Sequence, residues 1–344
     1  MPSPDTRLPI GVYRTSGPDI SAIERYESFL GMPSGATVNY VLAFMPDTPA
    51  SWAQFEQAVL AAATNGPPSS TSATAWAPLL GPRQLMLAVP ACCMGSTWAT
   101  EAAGANDAHW AALAHTLVNG GLGNCVLRIA REFSGGWYRW DATPSNVGTY
   151  IAGYAHVVSV MRAAGFTGEF MWNPYIGQGT FRPEGHVESA YPGDSVVDVI
   201  GIDLYDGPHS ANYPAGKVIR TAAQHRAVWD EFLSGRDGIT DWHNLAASHA
   251  KPLAYPEWGL RLWKDSGVYR GGGDNPTLIR EMAAWLKGTG AWMHALWEDA
   301  GQGVADPDDL PARQVAVPQS REAFLESFGG TSGSLARGSS GSSG

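Results

Sequence analysis

Eight short, nearly continuous apolar runs, each followed by a stretch of helical spacing or by loop, constrain this fold more than any other feature. The runs fall at residues 9–14, 40–45, 84–90, 125–132, 169–175, 196–205, 252–258 and 292–298. Strict apolar–polar alternation would mark strands with one wet face, whereas continuous apolar runs mark strands covered on both faces. Amphipathic stretches lie between them at 51–63, 107–119, 147–164, 218–233 and 276–287. Ser145 or Asn146 is positioned to cap the third of these and Gly165 to stop it, while Pro276 follows Asn275 in a first helical turn, where its missing N–H is harmless. Eight such strands predict an α/β chain built as a single (β/α)8 TIM barrel. The long interval 206–251 is expected to hold an extra helix over 240–249, and 300–318 to form a loop leading to a last helix at 319–328. No repeat of fixed period and no linker appears earlier, so residues 1–328 read as one catalytic domain. The Gly/Ser-rich stretch 329–344 reads as a flexible tail or fusion scar.

Charge narrows the function. A formal net charge of −10 with only 16% charged residues argues against a nucleic-acid or anionic-membrane surface, which needs clustered Lys and Arg. No apolar stretch reaches the roughly 18 residues a membrane span requires, and Met1 to Arg7 lacks the apolar core of a signal peptide. Fourteen Trp and 12 Tyr suit a protein that stacks neutral sugar rings, although many of these aromatics are expected in the core. The three cysteines, Cys92, Cys93 and Cys125, form no disulfide framework; Cys125 reads as core filler, and a Cys92 or Cys93 nucleophile stays open as a minor alternative.

In a barrel the reacting groups sit where strands end and βα loops begin. The fourth run ends on Glu132 and the seventh carries Glu257, each followed by glycine and aromatics. A carboxylate at the mouth of a buried strand is costly unless it is paired or has a chemical task. Strands four and seven of eight face each other across the mouth, so the two side chains are expected to meet at ~5–5.5 Å, the spacing of a retaining glycosidase pair, whereas ~6.5–9.5 Å implies inversion. Ion pairing of Glu132 with Arg128 or Arg131 and loop capping by Glu257 are the plain alternatives. Glu298 and Asp299 stand by as substitutes for Glu257.

Three motifs bring a family into view. Arg128-x-x-Arg131-Glu132-x-x-Gly135-x-Trp137-Tyr138-x-Trp140 resembles the fourth-strand motif of glycoside hydrolase family 26. The segments Val199-Ile200-Gly201-Ile202-Asp203-x-Tyr205 and Lys251-Pro252-Leu253-Ala254-Tyr255-Pro256-Glu257-Trp258-Gly259 resemble its sixth and nucleophile strands. Family 26 belongs to clan A, the retaining β-glycosidases on (β/α)8 barrels. The resemblance implies Glu132 as acid/base, Glu257 as nucleophile, Tyr205 as the nucleophile's hydrogen-bond partner and Trp297 as the platform beneath the reacting sugar. It also implies a polysaccharide partner and β-mannanase-like or related specificity, with xylanase, glucanase, wall-glycan hydrolase or a non-catalytic carbohydrate-binding barrel as alternatives. Arg128, Arg131, Trp137, Trp140, Asn173, Asp203 and Trp258 complete the expected substrate-binding set, with Asp203 read as orienting rather than reacting. Arg14, Asp47 and Trp263 are weaker candidates.

Two departures bear on chemistry. Arg131 stands where the family usually has His, and a cation there favours the ionised form of Glu132, the wrong direction for an acid. The third run ends in Pro90-Ala91-Cys92-Cys93, without the histidine that mannan-cleaving members use. No His-Glu-x-x-His, Cys-x-x-Cys, phosphate loop or Gly-x-Ser-x-Gly elbow occurs, so no metal and no organic cofactor is called for. Gly271-Gly272-Gly273-Asp274 reads as a mobile rim loop. A monomer is expected, and the substrate class favours an extracellular setting.

Overall fold

The computed structural model describes residues 8–13, 19–33, 36–61, 76–177, 179–183, 185–207, 210–214, 216, 219–261, 264–265, 268–269, 271–298, 304 and 317–330. Arg14, Trp263, Asp299 and the tail beyond 330 therefore lie outside the described residues.

The eight expected strands all form, most of them shorter than their apolar runs. They are β1 (Ile10–Tyr13), β2 (Tyr40–Phe44), β3 (Gln84–Val89), β4 (Val126–Ile129), β5 (Glu169–Trp172), β6 (Val199–Gly201), β8 (Leu253–Gly259) and β11 (His294–Trp297). Every neighbouring pair is parallel, and β11 pairs with both β8 and β1, with Ile10 opposite His294 and Tyr13 opposite Trp297. That pairing closes the sheet into a (β/α)8 barrel. Between β6 and β8 a two-residue strand, β7 (Leu204–Tyr205), adds to the end of β8, so the expected run 196–205 is two strands broken at 202–203. Two further short strands, β9 (Lys264–Asp265) and β10 (Val268–Tyr269), pair antiparallel with each other as a separate sheet.

The helices follow the amphipathic stretches. They include α1 (Ile20–Phe29), α2 (Trp52–Ala61), α5 (Asp107–Asn119), α6 (Val147–Ala163), α7 (Ala222–Ser234), the expected extra helix α8 (Ile239–Ser248), α9 (Pro276–Thr289) and α10 (Pro318–Phe328). Two short helices without a sequence signal of their own, α3 (Ala77–Leu80) and α4 (Trp98–Ala102), flank β3. Asn146 precedes α6 but does not cap it: its Oδ1 accepts from Thr143 N at 2.7 Å. Asn275 does cap α9, accepting from Leu278 N at 3.0 Å.

Two apolar layers hold the barrel. Leu42, Met86, Val126, Met171, Val199, Ala254, Met293 and Ala295 fill the interior, and a much larger cluster lies between strands and helices. The interior has no spare room at Gly11, where an added Cβ would lie 2.8 Å from Met293 Cε and 2.9 Å from Leu42 Cδ1. A plug of this kind makes the barrel a packed core, so polar chemistry is confined to its ends.

Candidate active site

Glu132 reaches the barrel mouth by a route the apolar run does not reveal. Strand β4 stops at Ile129, and Ala130 (φ 54°) and Glu132 (φ 51°) both take left-handed backbone conformations. Such φ values are costly for side-chain-bearing residues and persist only where surroundings enforce them. Here Ala130 N donates to Val89 O at 2.9 Å and Glu132 N to Asn173 O at 2.7 Å, tying the coiled segment to β3 and to the end of β5. The expectation of a strand running to Glu132 is thus corrected, while its position at the rim holds. Burial and the charge of Glu257 raise the Glu132 carboxyl from its ordinary 4.5 to about 7, against the opposing pull of Arg131, the Trp137 hydrogen bond and Arg128.

Glu257 lies within β8 and points into the mouth, 5% exposed. Tyr205 Oη donates to its Oε2 at 3.0 Å. Arg128 Nη2 lies 2.6 Å from Glu257 Oε1 and 2.6 Å from Asp203 Oδ2. Only the Asp203 contact has hydrogen-bond direction; the one to Glu257 is electrostatic. Arg128 Nε donates to Asn173 Oδ1 at 2.8 Å, and Asn173 Nδ2 donates to Gly201 O at 3.0 Å and Asp203 Oδ1 at 3.1 Å. One carboxylate oxygen each from Glu132, Asp203 and Glu257 lies within 4.8 Å of the others, and among the described residues no second cluster of this kind occurs. Three carboxylates could hold a metal, but the Arg128 guanidinium already supplies positive charge against two of them.

Replacing Arg128 should therefore be costly. Arg128→Met leaves Asp203 and Glu257 buried without their shared cation, a loss of about 3–5 kcal/mol. Urea unfolding at neutral pH would show it, with partial recovery as acid protonates the carboxylates; an unchanged midpoint would contradict this account of the network.

Residues 110–228, which contain the Arg128–Trp140 motif, match the model of glycosyl hydrolase family 26. That stretch is similar to family 26. Glu257 lies beyond the matched span. A mannan endo-1,4-beta-mannosidase from Bifidobacterium adolescentis is 26% identical over 147 residues, covering 42% of this chain and 13% of that protein, so this chain spans only a small part of that relative. An endo-β-1,4-mannanase from Cellulomonas fimi superposes with a TM-score of 0.61 at 18% identity, over 92% of this chain and 70% of that one. The catalytic domain of a Bacillus sp. JAMB-750 endo-β-1,4-mannanase gives 0.55 at 16% identity, over 94% and 89%. At these identities the structural likeness establishes the shared barrel.

Against the family 26 pattern, Arg131 is occupied elsewhere. Its Nη1 and Nη2 meet Asp47 at 2.8 and 3.2 Å, its Nη2 also bonds Tyr138 Oη at 2.8 Å, and its guanidinium lies 4.9 Å from the Phe44 ring centre. The charge feared beside the acid is thus matched by Asp47, and Glu132 stays raised. Substrate contact by Arg131 is not favoured by this geometry.

The aromatic assignments divide. Trp137 is 49% exposed and its Nε1 donates to Glu132 Oε2 at 2.9 Å, which places it beside that carboxyl. Trp140 is a correction: it is fully buried, stacks on Tyr138 at 4.4 Å and donates to Arg131 O at 2.9 Å, supporting the loop from beneath. Trp258 is another. Successive strand side chains face opposite ways, so with Glu257 inward Trp258 points outward, donating to His294 Nδ1 at 3.2 Å among Phe324 and Phe328. Asn173, expected in the substrate-binding set, instead has both ends of its amide engaged and is fully buried. Asp203 accepts from Arg128 at 2.6 Å and from Asn173 at 3.1 Å. Trp297 is half-buried at the end of β11, one face stacked on Tyr13 at 4.3 Å.

Tyr13, Phe44 and Tyr175 were missed. Each stands at or just beyond the last residue of a strand, the position that marked Trp297, and Tyr175 meets Trp137 edge-on at 5.0 Å. The Gly271–Asp274 segment is not the loose rim expected. Arg220 Nε donates to Gly271 O at 3.0 Å, His225 bonds Gly272 O at 2.9 Å, and Asp274 accepts from Ser320 N at 2.8 Å. The cysteines are buried and unpaired; burial pushes the Cys93 thiol to about 12 and Cys92 higher, which removes a ready thiolate.

Proposed function

We propose that this chain is a retaining endo-glycoside hydrolase that cleaves a β-1,4-linked mannan or a related polysaccharide by double displacement. The observation that carries this reading is the meeting of Glu132 and Glu257, with carboxylate oxygens within 4.8 Å and opposite surroundings. Glu132 is buried and raised to about 7, suited to hold a proton; Glu257 meets a guanidinium and a phenol, the partners of a carboxylate nucleophile. Pairs of carboxyls with divergent environments are how acid and nucleophile roles are divided.

In the first step a Glu257 oxygen attacks the anomeric carbon from the face opposite the leaving sugar. Glu132 gives its proton to the glycosidic oxygen as that C–O bond breaks. Burial is the larger cause of the raised Glu132 carboxyl, but the charge lost from Glu257 in the glycosyl ester removes the repulsion that adds to it, so Glu132 becomes a better base as its second task begins. It then takes a proton from water, which attacks the same carbon and returns Glu257 as carboxylate. Trp137 holds Glu132 in place, and Trp297 supplies an apolar face at the far side of the mouth.

Mannan specificity is supported by the kinship described above. Strand β3 argues for a second reading, because Ala91, Cys92 and Cys93 after it are buried and no histidine projects there; a xylan- or glucan-cleaving variant of the same chemistry fits that difference. A panel of β-1,4-mannan, β-1,4-xylan, β-1,4-glucan and β-1,3-linked polymers decides. One polymer is expected to yield oligosaccharides whose first-formed anomer is β by NMR. An α anomer first, or no new reducing ends from any polymer, would overturn the proposal.

A further inference from the structure

Beside the mouth lies a separate cavity of about 290 Å³ with its own walls. At ~30 Å³ per water it holds roughly ten water-sized atoms, the scale of one sugar ring and far less than a polymer segment. Its wall adjoins Glu257 directly and Glu132 through one intervening ring. Tyr205, which donates to Glu257, lines it, and so does Tyr175, whose ring meets the Trp137 that holds Glu132. Tyr205 thus stands between Glu257 and the cavity, and at this volume the cavity takes a side group of a chain bound at the glutamates rather than the chain itself.

The charge of that cavity departs from the rest of the molecule. In a chain of net charge −10, Arg182 and Arg236 line it against a single carboxylate, Glu231, which already accepts from Asn212 Nδ2 at 2.5 Å. Arg236 donates one N–H to Pro183 O at 3.0 Å, and among the described residues neither arginine has an ion pair. Arg261 adds positive charge, its guanidinium 4.6 Å from the Tyr205 ring centre. The guanidinium forks of Arg182 and Arg236 match carboxylate geometry, while Tyr175, Tyr205 and Phe232 offer apolar wall to a ring. We propose that this cavity binds one acidic sugar branch of the polysaccharide, a uronic-acid-type unit, and selects substrates decorated next to the cleaved bond.

This inference rests on the hydrolase reading, and matched probes keep the two apart. A galactose-branched β-1,4-mannan and the same polymer oxidised at branch C6 differ only in CH₂OH against COO⁻. The oxidised polymer is expected to show kcat/KM about tenfold higher, the scale of one well-placed charged hydrogen-bonded pair. The double variant Arg182→Ala/Arg236→Ala should erase that preference, acting on KM, and leave turnover of unbranched mannan unchanged. Branched oligosaccharides of both kinds, titrated calorimetrically, should repeat the preference and its loss without requiring cleavage. Failure to cleave any polymer counts against the hydrolase reading, and the cavity is then judged by binding alone. Equal binding of neutral and acidic branches, or a preference that survives the double variant, overturns the inference.

Discussion

Glu257→Ala is expected to lower turnover of every polysaccharide the parent cleaves by about 10⁴-fold or more, the scale on which covalent nucleophiles fail when removed. The fold should persist, because Arg128 keeps Asp203 at 2.6 Å and its bond to Asn173 at 2.8 Å. Azide supplied to this variant has the space vacated by the carboxylate and attacks the anomeric carbon from the same side. A dinitrophenyl β-glycoside, which leaves without protonation, should then give an α-glycosyl azide. That single inversion is the signature of a lost covalent step. Unchanged activity, or a β-azide, would remove Glu257 from the nucleophile's role.

The barrel was legible because its strands are covered on both faces. Continuous apolar runs in β2, β3 and β8 leave no other sheet to build, and their parallel registers follow from the helices between them. What the pattern hides is where a strand stops. The run 125–132 continues in apolar and arginine residues past Ile129, yet the backbone turns left-handed at Ala130 and again at Glu132. Nothing in residue type announces that turn, since neither residue is glycine.

The two glutamates were legible for a chemical reason and their support was not. An acid at the end of a buried run is expensive, so each one asks for an explanation in the sequence itself. The network of Arg128, Asn173, Asp203 and Glu257 joins four strands, with Arg128 reaching partners 45 and 75 residues away, which periodicity does not encode. Trp258 is different: period-two alternation from Glu257 already places it outside, so that error came from reading composition where geometry sufficed. Trp140 and Trp137 occupy equivalent-looking places in one loop, and only packing separates the buried one from the one at the acid.

Glu132 carries the second large effect, and its pH dependence distinguishes it from Glu257. Glu132→Ala should slow polysaccharide cleavage by about 10²–10⁴-fold, the range of general acid–base assistance. With a dinitrophenyl leaving group the first step needs no acid, so bond cleavage should remain fast while hydrolysis of the ester becomes limiting. Azide then intercepts the ester and gives a β-glycosyl azide, the opposite anomer to that from Glu257→Ala. In the parent, kcat/KM should fall on the alkaline side with a midpoint near 7, where Glu132 loses its proton. The same shift opposes folding. Between pH 4.5 and about 7 the native state holds a proton that the unfolded chain has released, so stability declines with rising pH across that window. Above it, keeping Glu132 ionised in the mouth costs on the order of 3 kcal/mol. Glu132→Gln removes the titration: it should match the parent below pH 4.5 and exceed it above pH 7 in urea midpoint. A variant no more stable than the parent at pH 8 would mean that the acid is not held protonated by its surroundings, and the assignment of roles between the two glutamates would fail with it.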